Sequence, residues 1–452
     1  MVRPPGVADL CSVKNILIFV SAVFTACYTQ SASAQDTLYK KLSVPELFKL
    51  AETNNQQLKI SRTGMTIAEQ RTAVVKTQRN PILTAAATAS YIGDVTVFNN
   101  DFSGKTTVPM PHFGNSFTLQ ASQTIFKGGA INNNIAIAGL QEQLAGLAYE
   151  KNNLDLKILL AGNYFDLFKM YNQREVYQEN IRLAQLRLFN INKMYKSGMV
   201  TKNDVIRNEL LITNLGTAVQ QLNNNIDILS QQLSIALGLS DQTYIMPDTS
   251  ILSNKPQVNG LQEYLDLAYQ QYPELRSAAL SNRIAARHVD LAKADRLPSI
   301  QLNAGNSMVR PLTSSMPARD MYSNGWQAGV GVAFNISSLY NAPKNINLAK
   351  TQQRQQLEAT EQLRQNTEIS VKAAFIKHRE AKQLLQSADK SLQLATENFR
   401  IVEKKYLNQM ALLTDLMDAT NVRLAAELQQ KNAEISIIYT YYQLQKTTGN
   451  LN

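Results

Sequence analysis

No proline occurs between His112 and Met246, and none from Lys344 to the C-terminal Asn452. Over those two stretches no residue removes an amide donor or clashes with the turn before it, so long helical runs are permitted. Apolar residues recur there at alternating steps of three and four. Tyr177, Ile181, Ala184, Leu188, Ile191 and Tyr195 form one seam, and Leu385, Ala388, Leu392, Ala395, Phe399, Val402 and Tyr406 form another. After a short break the first stretch resumes with Val205, Asn208, Ile212, Leu215, Val219, Leu222, Ile226, Leu229 and Leu233. A sustained repeat near 3.5 residues makes helices that supercoil left-handed around one another rather than a compact globule. As a single helix, residues 130–195 would reach about 100 Å at about 1.5 Å per residue, far past the ordinary globular helix.

What interrupts these stretches reads as strand. Pro81 and Pro298 each end a helical segment, and alternation of period two follows. In residues 116–125, Phe117, Leu119, Ala121 and Ile125 point one way while Ser116, Thr118, Gln120, Ser122 and Thr124 point the other. A later segment sets Ala328, Val330, Val332, Phe334 and Ile336 against Gly329, Gly331, Ala333 and Asn335, and residues 82–92 and 299–309 alternate more weakly. Segments of about ten residues, apolar on one face and small or polar on the other, are the pattern of membrane barrel strands set between lipid and water. A β-sandwich would alternate too, but would not bracket its strands with helices of this length. Four strands cannot close around a usable lumen, and an open sheet edge is not tolerated in lipid. Pairing with further copies is therefore expected, and a trimer would give four times three, twelve strands. Trp326, the one tryptophan, is a candidate for an interfacial aromatic belt.

The chain also repeats itself. Leu47-Phe48-Lys49-Leu50-Ala51 returns as Tyr264-Leu265-Asp266-Leu267-Ala268, and Arg79, Pro81 and Leu83 return as Arg296, Pro298 and Ile300, at an offset of 217. Farther on the offset is 211: Tyr164, Leu183, Lys193, Tyr195, Asp204 and Gly238 return as Phe375, Leu394, Lys404, Tyr406, Asp415 and Gly449. The difference of six (217 minus 211) falls between Tyr91 and Asn115, so a longer loop is expected in the first copy. The resulting division is a leader at 1–34, a first repeat at 35–239, a linker at 240–260 and a second repeat at 261–452.

Lys14, the apolar run Ile16 to Ala26 and the small residues Ala32-Ser33-Ala34 before Gln35 have the order of a secretory signal peptide, and the run is too short to span a bilayer. A lipoprotein acceptor at Ala26-Cys27 is the rival, with Phe24 poorly suited three positions before the cysteine. Cleavage near Gln35 would remove both cysteines, Cys11 and Cys27, and with them any disulfide or thiolate metal site. Without residues 1–34 the formal charge goes from +10 to +9 (43 minus 34), spread thinly and without the basic, aromatic clusters of a nucleic-acid surface. No glycine loop followed by Lys and Ser/Thr cradles a phosphate. His112, His288 and His378 lack ligand spacing, and no nucleophile–base constellation stands out. Neither an enzyme nor a cofactor is expected.

Several fragments resemble the TolC-type outer membrane factor (outer membrane efflux protein) family in order and in double occurrence. Leu42-Ser43-Val44-Pro45-Glu46-Leu47 through Ala51, with Asn54-Asn55, resembles its opening helix, and Gln123-Thr124-Ile125-Phe126-Lys127-Gly128-Gly129 its strand-to-helix turn. Lys193-Met194-Tyr195-Lys196-Ser197-Gly198-Met199 with Asn203-Asp204-Val205 resembles the tip of its first long hairpin, and Asp415-Leu416-Met417-Asp418-Ala419-Thr420 the second. The resemblance implies an α+β membrane protein: a homotrimeric twelve-stranded β-barrel in the cell outer membrane, continued through the periplasm by an α-helical coiled-coil tunnel. It implies a mixed belt built partly from residues 240–260. Its partners would be a periplasmic adaptor (membrane fusion) protein and an inner-membrane RND or ABC transporter, for efflux or type I secretion. On this reading Ser116, Thr118, Gln120, Ser122 and Thr124 face the barrel lumen. Ser197, Gly198 and Met199 form one adaptor-docking tip, and Asn408, Gln409 and Met410 form the second, without glycine. Asp415 and Asp418, spaced i, i+3 on one helix face, would line a periplasmic gate, with Asp204 tied to Tyr406. Ala411 stands where the family often has an arginine link. The competing function is a non-conducting periplasmic coiled coil, structural or adhesive. It would have to bury the polar face from Ser116 to Thr124 at a cost of about a few kcal/mol for unpaired groups.

Overall fold

The computed structural model describes residues 38–240, 243–253, 256–314 and 318–451. The leader at 1–34, with Cys11 and Cys27, lies outside the described residues. Strand β1 (Leu38–Leu42) leads into two helices, α1 (Val44–Asn54) and α2 (Gln56–Lys76). Pro45 sits in the first turn of α1, and Glu46 reaches back to accept from the Ser43 N–H at 2.9 Å. Asn55 separates the two helices, its side chain accepting from the N–H groups of Gln57 and Leu58 to start α2. Next come β2 (Ile82–Tyr91), a short hairpin of β3 (Val95–Phe98) and β4 (Lys105–Val108), and β5 (Phe113–Lys127). The helices α3 (Ala130–Lys196) and α4 (Lys202–Ala236) follow, then β6 (Thr243–Pro247), α5 (Leu261–Gln271) and α6 (Pro273–Ala294). Strands β7 (Ser299–Arg310) and β8 (Ser323–Ala333) precede the last two helices, α7 (Ser338–Leu407) and α8 (Leu413–Thr448).

With 67 and 70 residues, α3 and α7 each run about 100 Å. Helix α7 begins before the expected Lys344 and contains Pro343. Five residues from the helix start, that proline forgoes only the bond to the Leu339 carbonyl, so the helix survives it. In the half nearer the sheet, α2 and α6 pack on α3, and α6 also on α7; toward the far end α4 packs on α3 and α8 on α7. The seam residues Ala184, Ile191, Val205, Leu222, Ile226, Leu233, Leu385, Ala388, Ala395 and Phe399 are buried, whereas Tyr195 is 42% exposed.

Between the halves lies the main core. Leu47, Phe48, Ala51 and Leu58 bury against Leu160, Tyr164, Phe165 and Phe168 of α3, Leu233 of α4, Ile245 of β6 and Ile438 of α8. Strand β1 pairs in parallel with β6, from Leu38 opposite Thr243 to Leu42 opposite Pro247. The Tyr164 hydroxyl joins this pair to α3, donating to the Leu42 carbonyl at 2.9 Å and accepting the Asp248 N–H at 2.8 Å. Buried Lys157 holds Glu52 at 2.8 Å and the Leu451 carbonyl at 3.1 Å.

The four long strands form one antiparallel sheet in the order β2-β5-β7-β8, with β2 and β8 at its edges. Phe334 and Ile336, expected on the last strand, lie beyond its end at Ala333. The extra residues between Tyr91 and Asn115 form the β3–β4 hairpin. Among the described residues no helix is long and apolar enough to cross a membrane.

Candidate functional site

Strand register decides which side chains share a face, because partners opposite one another in an antiparallel pair project to the same side. Thr118 lies opposite Ala86 and Ser307, Gln120 opposite Thr84 and Gly305, and Ser122 opposite Ile82 and Asn303. Continuing outward, Ser307 meets Gly325, Gly305 meets Gln327 and Asn303 meets Gly329. This face is thus almost wholly Ser, Thr, Asn, Gln, Gly and Ala. The other carries Leu119 opposite Ala85 and Asn306, then Trp326, with Phe117 opposite Ala87 and Met308, and Leu302 opposite Val330. Its large side chains are open to the surroundings: Leu119 is 57% exposed, Val330 65% and Trp326 80%. Ser116 and Thr124 complete the polar row, which ends at a bulge between Thr124 and Phe126.

At the other end of the long helices two turns have the same backbone. After α3, the N–H groups of Ser197, Gly198 and Met199 donate to the carbonyls of Lys193, Tyr195 and Met194 at 3.1, 3.0 and 2.8 Å. After α7, Asn408, Gln409 and Met410 donate to Lys404, Tyr406 and Lys405 at 3.2, 2.9 and 2.8 Å. Each is a Schellman closure whose middle residue is left-handed, with φ +73° at Gly198 and +62° at Gln409. Glycine takes that conformation freely, whereas glutamine carries a steric cost there of about 1 kcal/mol or more. Both turns present an exposed methionine, Met199 and Met410.

An aspartate caps each helix that leaves a tip. Asp204 Oδ2 accepts from the Thr201 N–H at 2.8 Å and the Thr201 hydroxyl at 3.0 Å. Asp415 Oδ2 accepts from the Leu412 N–H at 3.1 Å, with no hydroxyl to add a second bond. Asp418 lies one turn along the same helix face, and both Asp415 and Asp418 are exposed. The expected Asp204–Tyr406 link is not made within the chain. Asp204 is committed to its own N-cap, and the buried Tyr406 hydroxyl has no partner. Burial chiefly raises the Tyr406 pKa, and the Asp204 charge adds to it. Ala411 packs into the apolar cluster of Ile191, Val205, Leu413 and Leu416 at the tips.

Two histidines have structural surroundings. His112 Nδ1 lies 3.0 Å from the Ile92 carbonyl, with its ring stacked on Tyr91. His378 is buried between α7 and α8, its Nδ1 3.1 Å from Thr440 Oγ1, and burial pushes its pKa down to about 4. Arg187 and Arg423, not singled out from the residue pattern, converge on the Phe399 ring at 5.8 and 4.2 Å from its centroid. They are 236 residues apart (423 minus 187), and each in isolation reads as an ordinary surface charge.

Residues 264–450 match the family described as "Outer membrane efflux protein". Outer membrane efflux protein BepC of Brucella suis is 22% identical over 411 residues, covering 89% of this chain and 84% of that one. Outer membrane protein TolC of Escherichia coli is 21% identical over 439 residues, 93% of this chain and 85% of its own. Among solved structures, the outer membrane protein VceC of Vibrio cholerae superposes with a TM-score of 0.74 at 13% identity, over 90% of this chain and 96% of that one.

Proposed function

From a chain whose residues 264–450 match the outer membrane efflux protein family, we propose an outer-membrane member of the TolC-type family that works as a passive exit duct assembled from three copies. The observation that carries this reading is the two-faced sheet. One face is polar and small across all four strands, the opposite face exposes Leu119, Trp326 and Val330, and both edges are open. Ten residues of β2 at about 3.4 Å each, tilted by about 40°, rise about 25 Å, the height of a barrel's apolar band. Four strands spaced about 4.8 Å apart at that tilt would close on a backbone diameter of about 8 Å, filled by their own side chains; twelve give about 24 Å. The strands of three copies, with the polar row of Ser116, Thr118, Gln120, Ser122 and Thr124 inward, therefore make a wetted lumen.

Below the membrane the long helices continue the duct as a tunnel, and the two tips are its docking ends. The equal turn geometry at Gly198 and Gln409, with caps at Asp204 and Asp415, supports a duplicated chain in which both tips present the same backbone. It also supports docking of a periplasmic adaptor at both, glycine or not. The adaptor would join the duct to an inner-membrane RND or ABC transporter, which supplies the energy for drug, ion or protein export. The polar sheet face counts against the non-conducting coiled coil, since a dry packing would strand its hydroxyls and amides. Crosslinking in intact cells tests the assembly. A Met199→Cys variant bearing a short crosslinker should yield trimers and an adaptor adduct; monomers alone, or adducts only from positions midway along α3, would rule it out.

A further inference from the structure

A cavity of about 370 Å³ opens between α3, α7 and α8, lined by Arg187, Phe399, Glu403, Tyr406, Leu407 and Arg423 among others. Three donors there are buried without a hydrogen-bond partner: Arg187 Nη1, Arg423 Nε and the Tyr406 hydroxyl. Arg423 spends its Nη2 on Asn180 Oδ1 at 3.3 Å, and both guanidiniums lie over the Phe399 ring. Burial lowers the pKa of Arg187, and the nearby Glu403 carboxylate only partly offsets that effect. Glu403 lies near Arg187, and the exposed Glu179 near Arg423 is already engaged by Arg182, so the buried guanidinium N–H groups that face the cavity stay without an acceptor, an arrangement that a bound anion would relieve.

We propose that this cavity binds a small tetrahedral oxyanion of the phosphate class, held by Arg187 and Arg423 with Tyr406 as third donor. Guanidinium forks match oxyanion geometry and bind it more strongly than neutral donors do. The donors belong to three different helices and so approach from different sides, which suits a tetrahedral ligand better than a planar carboxylate. Bound there, the anion ties α3 to α7 and α8 close to the tips, and α8 is the helix that carries Asp415 and Asp418. The site does not depend on the export reading, since it is built within one chain.

The test uses the full-length protein in detergent with inorganic phosphate as the probe, at ionic strength held constant with chloride. Saturable broadening of the phosphorus resonance, together with a rise in thermal midpoint that chloride does not produce, is the expected result. The Arg187→Gln/Arg423→Gln double variant should lose both signals. Tyr406→Phe keeps the packed ring and deletes only the hydroxyl, so it provides a test free of folding defects; it should weaken binding about tenfold. Broadening that never saturates, or that is as strong in the Tyr406→Phe and arginine variants as in the parent, overturns the site.

Discussion

Leu119 and Thr118 are neighbours on β5 with opposite environments, which makes an arginine scan of the two a sharp test of the barrel. Leu119 lies six residues from one end of the strand and eight from the other, on the face shared with Phe117, Trp326 and Val330. An arginine there would stand in lipid near the midplane, at a cost of about 2–4 kcal/mol per copy. Three copies would multiply this to about 6–12 kcal/mol per trimer, enough to remove most of the assembled population. Thr118 instead sits between Ala86 and Ser307 on the polar face, where small neighbours leave room for a long side chain in water. Thr118→Arg should assemble like the parent, while Leu119→Arg should be depleted from the outer-membrane fraction and lose its heat-modifiable gel mobility. Equal tolerance at the two positions, or the reverse order, would refute the assignment of faces.

Other consequences are local. Gln409→Gly should stabilise the second tip by about 0.5–1 kcal/mol, and Gly198→Ala should destabilise the first by about 1 kcal/mol, since each acts at a left-handed residue; thermal midpoints of the purified protein read both. No atom lies near a Cβ added at Gly198, so any larger loss there would mean the tip contacts a partner rather than merely turning. His378 is held neutral with a folded pKa of about 4 against about 6.5 unfolded. Its contribution is whole above pH 6.5 and is lost as pH falls toward 4, by up to about 3 kcal/mol. His378→Leu should remove that segment of the acid unfolding profile; an unchanged profile would assign the acid sensitivity elsewhere.

How much of this was readable from residues alone depends on the range of the interaction. The long helices were legible because proline and periodicity are local properties, and the seam residues Ala184, Ile191, Val205, Leu222, Ile226 and Leu233 are buried as spaced. The strands were legible for the same reason, but their register is a pairing of distant segments, and only it shows that Asn303 and Gln327 join the polar row of Thr118. Strands β1 and β6 escaped notice because five-residue segments 205 residues apart (243 minus 38) carry no alternation worth reading. Gln409 was invisible as a left-handed residue, since a side chain that merely tolerates the conformation gives no signal. The Asp204–Tyr406 link is not made within one chain, where the capping need of α4 is nearer at hand and takes the carboxylate first.

A conducting duct whose periplasmic mouth is ringed by carboxylates would pass current across a planar bilayer, so recordings from the purified protein are decisive. Asp415 and Asp418 stand exposed on one face of α8, and three copies would set six carboxylates (three times two) around the mouth. Such a ring should favour cations, and divalent cations should bind it and block current. Because Asp415 also caps α8 through Leu412, the informative variant is Asp415→Asn with Asp418→Asn, which keeps an acceptor for the cap while deleting the charge. The parent should conduct with cation preference and millimolar or tighter divalent block, and the double variant should conduct without the block. A parent that never conducts would exclude the duct, and a double variant blocked as strongly as the parent would place the constriction elsewhere.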